Sequence, residues 1–327
     1  MITTQPVRHW LRLGLLSLAS LVAVACGDPS EPQSSSSSNW LHCVTDAECD
    51  NLSIESTCGA DGYCVAPAGN KVEQALVFQD EFDGPALDLN NFRYETGNSV
   101  RNGDAETYTS RPVNVALSNG ELVLTARAET FGSAKYTSGS IETAGLRSWQ
   151  YGRFEASMLA PAGTGSAPAF WLLPQNPGSD QTVCSALNTC TTGSWPAWGD
   201  IVVMTVRSQS PTEVLHTASY AKADAALGLT RGEGGATTDL GQSVATGYHD
   251  YAINWGPRRI EWFIDGQLRG SFDTTLPEIA LPDGVAPFQQ PFYLKLLLAV
   301  GGLSEAPVAA AYPQELRVRS LKVWQYR

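Results

Sequence analysis

An all-β fold, an antiparallel sandwich over about residues 71–327, is what this sequence predicts, and three observations carry the prediction. Short runs of alternating apolar and polar residues follow one another from Lys71 to Arg327, with Gly, Pro, Asn and Asp between them. No part of that region keeps a 3.6-residue apolar period over a long segment. The composition agrees: 30 Gly and 19 Pro supply turns, while 9 Trp and 11 Tyr supply broad aromatic surfaces of the kind that also suit sugar binding.

Along the chain, an export signal is expected first. Arg8 and Arg12 precede an uncharged apolar run of 13 residues, Leu13 to Ala25. A bilayer span needs about 20 residues, so residues 1–25 read as a secretory signal peptide. The run ends in Ala23-Val24-Ala25-Cys26-Gly27, which resembles the lipobox of bacterial lipoproteins, with Ala23 where Leu is usual. On that resemblance Cys26 is the lipid attachment site, and Gly27 in place of Asp points to the outer membrane or cell surface. An ordinary signal peptide with a chance cysteine is the alternative. Residues 26–40 are Ser-rich and poor in apolar residues, as a flexible tether would be.

The cysteines fit an oxidising compartment. There are seven, and assigning Cys26 to lipid leaves six. Cys43, Cys49, Cys58 and Cys64 fall within residues 41–67, a module too small to stabilise itself without crosslinks, and two disulfides are expected there in any of three pairings. Cys184 and Cys190 lie close together in a polar loop and are expected to form a third. Zinc is the rival for the group of four, and the absence of a CxxC pair argues against it.

Within the sandwich region, Glu121–Glu129 and Tyr151–Leu159 alternate as strands. Arg259–Ile264 and Gln267–Phe272 are joined by Asp265-Gly266, a type I′ hairpin signal because both turn residues need positive φ. Leu316–Tyr326 closes the chain as another strand. The net charge is -12, and without the leader 19 basic residues face 33 acidic ones. No basic cluster is present to neutralise a run of phosphates, so nucleic acid is excluded as a partner and membrane contact is expected through the anchor alone.

Eight segments, in order, resemble glycoside hydrolase family 16, the laminarinase-type β-glucanases: VFQDEFDGPALDLNNFRYETG, NGDAETYTSRPVNV, YTSGSIETAGLRSWQYGRFEA, SAPAFWLLP, WPAWGDIVVMTV, YHDYAINWGPRRIEWFIDGQL, PFYLKLLLAVGG and YPQELRVRSLKVWQ. The resemblance implies a jelly-roll, concanavalin A-like β-sandwich with a sugar-binding cleft across one sheet. It implies scaffold roles for Phe170, Trp171, Trp255, Trp262, Gly301 and Gly302, with Trp171 in the core.

The family's active strand reads GEIDIME, with nucleophile, steering Asp and acid/base at its first, third and sixth residues after the Gly. Positions i and i+2 of a strand share a face and i+5 does not, so a bulge is required to align the three. Here the frame is Gly199-Asp200-Ile201-Val202-Val203-Met204-Thr205. Asp200 is one methylene shorter than Glu, Val202 has no carboxylate, and Thr205 cannot release a proton near neutral pH. The catalytic set is therefore not intact at Asp200, Val202 and Thr205. Glu142 and Glu155, neighbouring acids in other strands, read as ordinary surface or sheet-face residues.

Further along the resemblance, Asn102, Tyr108 and Thr109 are kept, while Glu106 stands where Gln usually lines a glucan subsite. Ala167 replaces a Trp, Ser219 a cleft His and Leu297 an Asn. Carbohydrate contacts are expected from Asn102, Tyr108, Asp200 and the two indoles Trp195 and Trp198. Packing is the competing role for Trp195 and Trp198, and Trp198 is large enough to plug the cleft. The family's structural calcium is not expected, since Arg319 stands where an Asp is usual and an Arg319–Glu81 pair is the expected replacement. No other metal or cofactor is expected. Three functional readings follow: a lipid-anchored, non-catalytic binder of β-glucan or a related polysaccharide; an active endo-β-1,3-glucanase-type glycosidase that uses Asp200 with an unconventional acid; and a structural surface protein with a closed cleft.

Overall fold

The structure is a computed structural model and describes residues 43, 45–46, 49, 56–69, 71–72, 74–99, 102–175, 189–190, 195–224, 226, 228–279 and 286–326, with backbone only for 189–190, 223–224 and 228. The expected leader, Cys26, the Ser-rich tether, Cys184 and the Cys190 side chain lie outside what is described, and with them the expected Cys184–Cys190 bond.

Two sheets, antiparallel except where Glu106–Tyr108 pairs parallel with Ala134–Ser138, pack face to face, as alternating strands with one apolar face must. Across the first, the order is Thr189–Cys190, Gly228–Asp239, Glu213–Asp224, Asp200–Val206, Ser166–Pro174, Phe292–Val300, Ser140–Glu142 and Arg93–Tyr94. The second runs from Gln267–Asp273 through Arg259–Ile264, His249–Trp255, Gly152–Leu159, Gln314–Tyr326 and Leu122–Phe131 to Ala134–Ser138, Glu106–Tyr108 and Gly97–Asn98. The Asp265-Gly266 turn has φ of 53° and 73°, and Ile264 pairs with Gln267 across it, as the hairpin signal requires.

The core follows from period-two alternation. Phe292, Leu294, Leu296, Leu298 and Val300 enter the space between the sheets, with Phe154, Trp255 and Trp262 from the second sheet. Each such aliphatic side chain contributes about 1.5–3 kcal/mol by leaving water. Leu297 and Ala299, on the opposite parity, face outward into a separate apolar patch.

The N-terminal cysteines form Cys43–Cys58 and Cys49–Cys64, each closing a separation of 15 residues. This resolves the three open pairings and leaves none of these four thiols for zinc. Loops of that length stabilise by about 3 kcal/mol in the chain-entropy account. Cys43, Cys49, Cys64 and Val72 join the same apolar cluster as the sandwich core, so the module is packed as well as crosslinked.

One expected ion pair does not form. Leu122 pairs with Val318, which places Arg319 beside Glu121 (Nε to Oε1, 3.1 Å), and the guanidinium stacks on the Tyr248 ring. On the other edge Gln79 pairs with Lys322, and Glu81 is bonded by Lys322 at 2.9 Å. Strand register, not proximity in the family pattern, decides both partners.

Candidate functional site

The strand Asp200–Val206 is entered through Gly199 at φ 82°, where a Cβ would meet Pro287 Cβ at 2.9 Å. Glycine is required there on both counts. The expected bulge is present. Towards Ser166–Pro174, Trp171 pairs with Val202 and Phe170 with Met204, so Val203 is skipped. Towards Glu213–Asp224, Val202 pairs with Thr217 and Thr205 with Leu215, leaving Val203 and Met204 opposite one residue. Both extra side chains are fully buried in the core. Asp200, Val202 and Thr205 consequently share the outward face, as three positions of one active strand must.

What they present there is a sealed and mostly apolar surface. Val202 and Thr205 are 8% and 6% exposed. Beside them lies a hollow of about 40 Å³ lined by Asn102, Asp104, Ala167, Ala169, Trp171, Leu297, Ala299 and Leu303. The Ala at 167 and Leu at 297 give this floor its apolar character. Trp171 is half-buried on this face and packs against the apolar patch, so it belongs to the cleft side and not to the core as expected. Alternation along Ser166–Pro174 explains the difference, because Trp171 shares the parity of outward-facing Ala167 and Ala169 while Phe170 and Leu172 enter the core.

Asp200 is fully buried. Its Oδ2 accepts from Trp195 Nε1 at 2.7 Å and its Oδ1 from the Ser219 N–H at 3.3 Å. Burial pushes its pKa up to about 6, against the opposing hydrogen bonds of Trp195 and Ser219 and the charge of Arg231. The Arg231 guanidinium lies 4.4 Å from the Trp195 ring centroid and is ion-paired with Glu233. Arg231 and Glu233 face the cleft side through their pairing with Ala221 and Ser219. The sequence reading missed both; their i, i+2 spacing marks one strand face, and nothing local assigned that face to the cleft.

The other expected residues are dispersed around this centre. Asn102 is exposed at the rim of the hollow. Tyr108 is 1% exposed within the apolar patch, so its ring supports the floor and offers no free face to a sugar. Trp195 and Trp198 are half-buried, and the Trp198 carbonyl accepts from Gln290 Nε2 at 3.0 Å. Glu106, which stands where the family usually has a subsite Gln, is 2% exposed and accepts from the Val300 N–H at 2.9 Å. Burial, with the nearby charge of Asp104, pushes its pKa up to about 7.

Glu155 and Glu142 lie on different sheets. Glu155 lies in the second sheet and pairs with Arg153 at 2.5 Å. Glu142 is on the cleft-side sheet but is 5% exposed, held by Lys295 at 3.0 Å and Arg93 at 2.5 Å, with Glu95 also on Lys295 at 2.8 Å. It is a sheet-face residue, buried as the acidic member of an ion-pair group. A lone Lys in the apolar run FYLKLLLAV was the signal that a buried acid had to exist nearby. At Arg319 a guanidinium engaged by Glu121 supplies no oxygen ligand for a calcium ion.

The fold is thus a jelly-roll sandwich whose bulged strand turns three positions onto one sheet face. The model of the glycosyl hydrolases family 16 matches residues 102–306, and the chain belongs to that family. It is 35% identical over 263 residues to a beta-glucanase of Rhodothermus marinus, covering 77% of this chain and 85% of that protein. It is 31% identical over 276 residues to the glucan endo-1,3-beta-glucosidase A1 of Niallia circulans, covering 76% of this chain and 38% of that longer protein. Among solved structures, the laminarinase from Rhodothermus marinus superposes with a TM-score of 0.65 at 32% identity, covering 78% of this chain and 99% of that one.

Proposed function

We propose that this chain binds a β-glucan, or a closely related polysaccharide, without hydrolysing it, and does so from a lipid anchor at Cys26 on the cell surface. One observation carries the non-catalytic reading: the bulge delivers positions 200, 202 and 205 to one face, and they supply a capped carboxylate, an apolar side chain and a hydroxyl. Retaining hydrolysis needs two carboxyls about 5 Å apart, one accessible to the anomeric carbon and one able to protonate the leaving oxygen. Asp200 has both oxygens engaged by protein donors, and Thr205 has no proton to give near neutral pH. Asp104 is the one carboxylate among the residues lining the adjacent hollow, and its Oδ2 accepts from Ser99 Oγ at 2.7 Å.

Reducing-sugar release from a panel of β-1,3-glucans, mixed-linked glucans and galactans tests the reading, with no release expected. Turnover that disappears in Asp200→Ala would establish the hydrolase instead. The anchor is tested separately. Cys26→Ala should shift the exported protein out of the detergent-soluble membrane fraction or block its processing, and unchanged partitioning contradicts the lipid attachment.

A further inference from the structure

The closing strand, Gln314–Tyr326, is irregular at one residue. Towards Gly152–Leu159, Ser157 pairs with Ser320 and Met158 with Val318, so Arg319 is the extra residue of a bulge. Towards Leu122–Phe131, the ladder reaches Val318 opposite Leu122 and stops there. Arg319 therefore stands outside both ladders, with its side chain 56% exposed, so replacing it opens no cavity in the core.

Three chain segments meet at this residue. Glu121 closes the Asn119-Gly120 turn, where it exchanges backbone hydrogen bonds with Ser118. Its Oε1 accepts from Arg319 Nε at 3.1 Å and from the Tyr248 hydroxyl at 2.5 Å, and its Oε2 accepts from Arg317 Nη1 at 3.1 Å. The Arg319 guanidinium carbon lies 3.5 Å from the Tyr248 ring centroid. Tyr248 leads into His249–Trp255, a strand that Gly152–Leu159 separates from the closing strand. The contact thus ties together segments that no ladder pairs.

Position 319 is where the family's calcium-site Asp is usual, and the donor set here is of the opposite kind. Calcium takes six to eight oxygen ligands, carboxylates foremost. Both Glu121 oxygens already accept from protein donors, and Arg317 is also held by Glu315 at 2.6 Å, so two guanidiniums balance two carboxylates. A divalent cation among them would be repelled by both. A guanidinium can do the same fastening by itself, because it is always charged, donates from a rigid plane and stacks on an aromatic face.

We propose that Arg319 replaces a structural cation: with Glu121 and Tyr248 it forms a metal-free clip that fastens the 118–121 turn, the closing strand and the His249–Trp255 strand, and the sandwich keeps its stability where calcium is withheld. The clip lies on the second sheet, away from the cleft strand, and the proposal stands independently of the glucan-binding reading.

The test is thermal unfolding of the full-length protein, followed by circular dichroism in excess EDTA and in excess calcium chloride. The wild type should melt at the same temperature in both. Arg319→Ala should lower the Tm by about 3 °C in either medium. Tyr248→Ala combined with Arg319→Ala should cost less than the sum of the two single changes, because each removes the same stacked contact. A wild-type Tm that rises with calcium and falls with EDTA overturns the replacement, and that arm depends on no variant. An unchanged Tm in Arg319→Ala, or additive losses in the double variant, overturns the clip.

Discussion

Glu106 shows how a single buried carboxyl sets a pH dependence. It is 2% exposed, and burial pushes its pKa from 4.5 up to about 7. A carboxyl raised in this way binds more protons folded than unfolded, so its contribution to stability is fullest below its unfolded pKa and is lost as pH rises through about 7. The rise corresponds to roughly 3 kcal/mol of lost stability well above pH 7. Glu106→Gln removes the charge and keeps an acceptor for the Val300 N–H. Thermal unfolding should therefore show a higher Tm for Glu106→Gln at pH 8 and a nearly unchanged one at pH 4.5. An equal shift at both values would show that packing, not ionisation, governs the site.

At the scale of elements, Lys295 on Phe292–Val300 joins Glu142 on Ser140–Glu142, which joins Arg93 on Arg93–Tyr94, and the sheet edge is held by charge as well as by its ladder. Removing one member of a buried pair strands the other, whereas replacing both with apolar groups does not. Lys295→Met should destabilise by about 3 kcal/mol and Lys295→Met with Glu142→Leu by much less, measured by urea unfolding. Additive losses would contradict the pairing. The same elements show what the sequence made legible. Alternation locates Tyr151–Leu159, Arg259–Ile264 and Leu316–Tyr326 to within two residues, and the i, i+2, i+5 spacing of the motif that this strand resembles implies the bulge. Which cleft residues stand open was not legible. Tyr108, Trp171, Glu106 and Arg231 owe their exposure to neighbours far away in the chain, and Arg319 owes its partner to strand register. Local pattern specifies a face of a strand, and only packing specifies what covers it.

For the molecule as a whole, the sandwich of a glucanase family is retained while the face that would perform hydrolysis is lined by Ala167, Val202, Thr205 and Leu297 around a hollow of about 40 Å³. Residues that act as a catalytic unit are strongly non-additive, so restoring one of them should recover little. The triple change Asp200→Glu, Val202→Asp, Thr205→Glu is the informative replacement, and Ala167 and Ser219 limit what even it regains. The most direct measurement titrates laminarihexaose into the wild-type protein by calorimetry and then resolves the contents of the cell by chromatography. The account predicts a saturable binding isotherm with the hexasaccharide recovered intact, and shorter oligosaccharides that vanish in Asp200→Ala would contradict it.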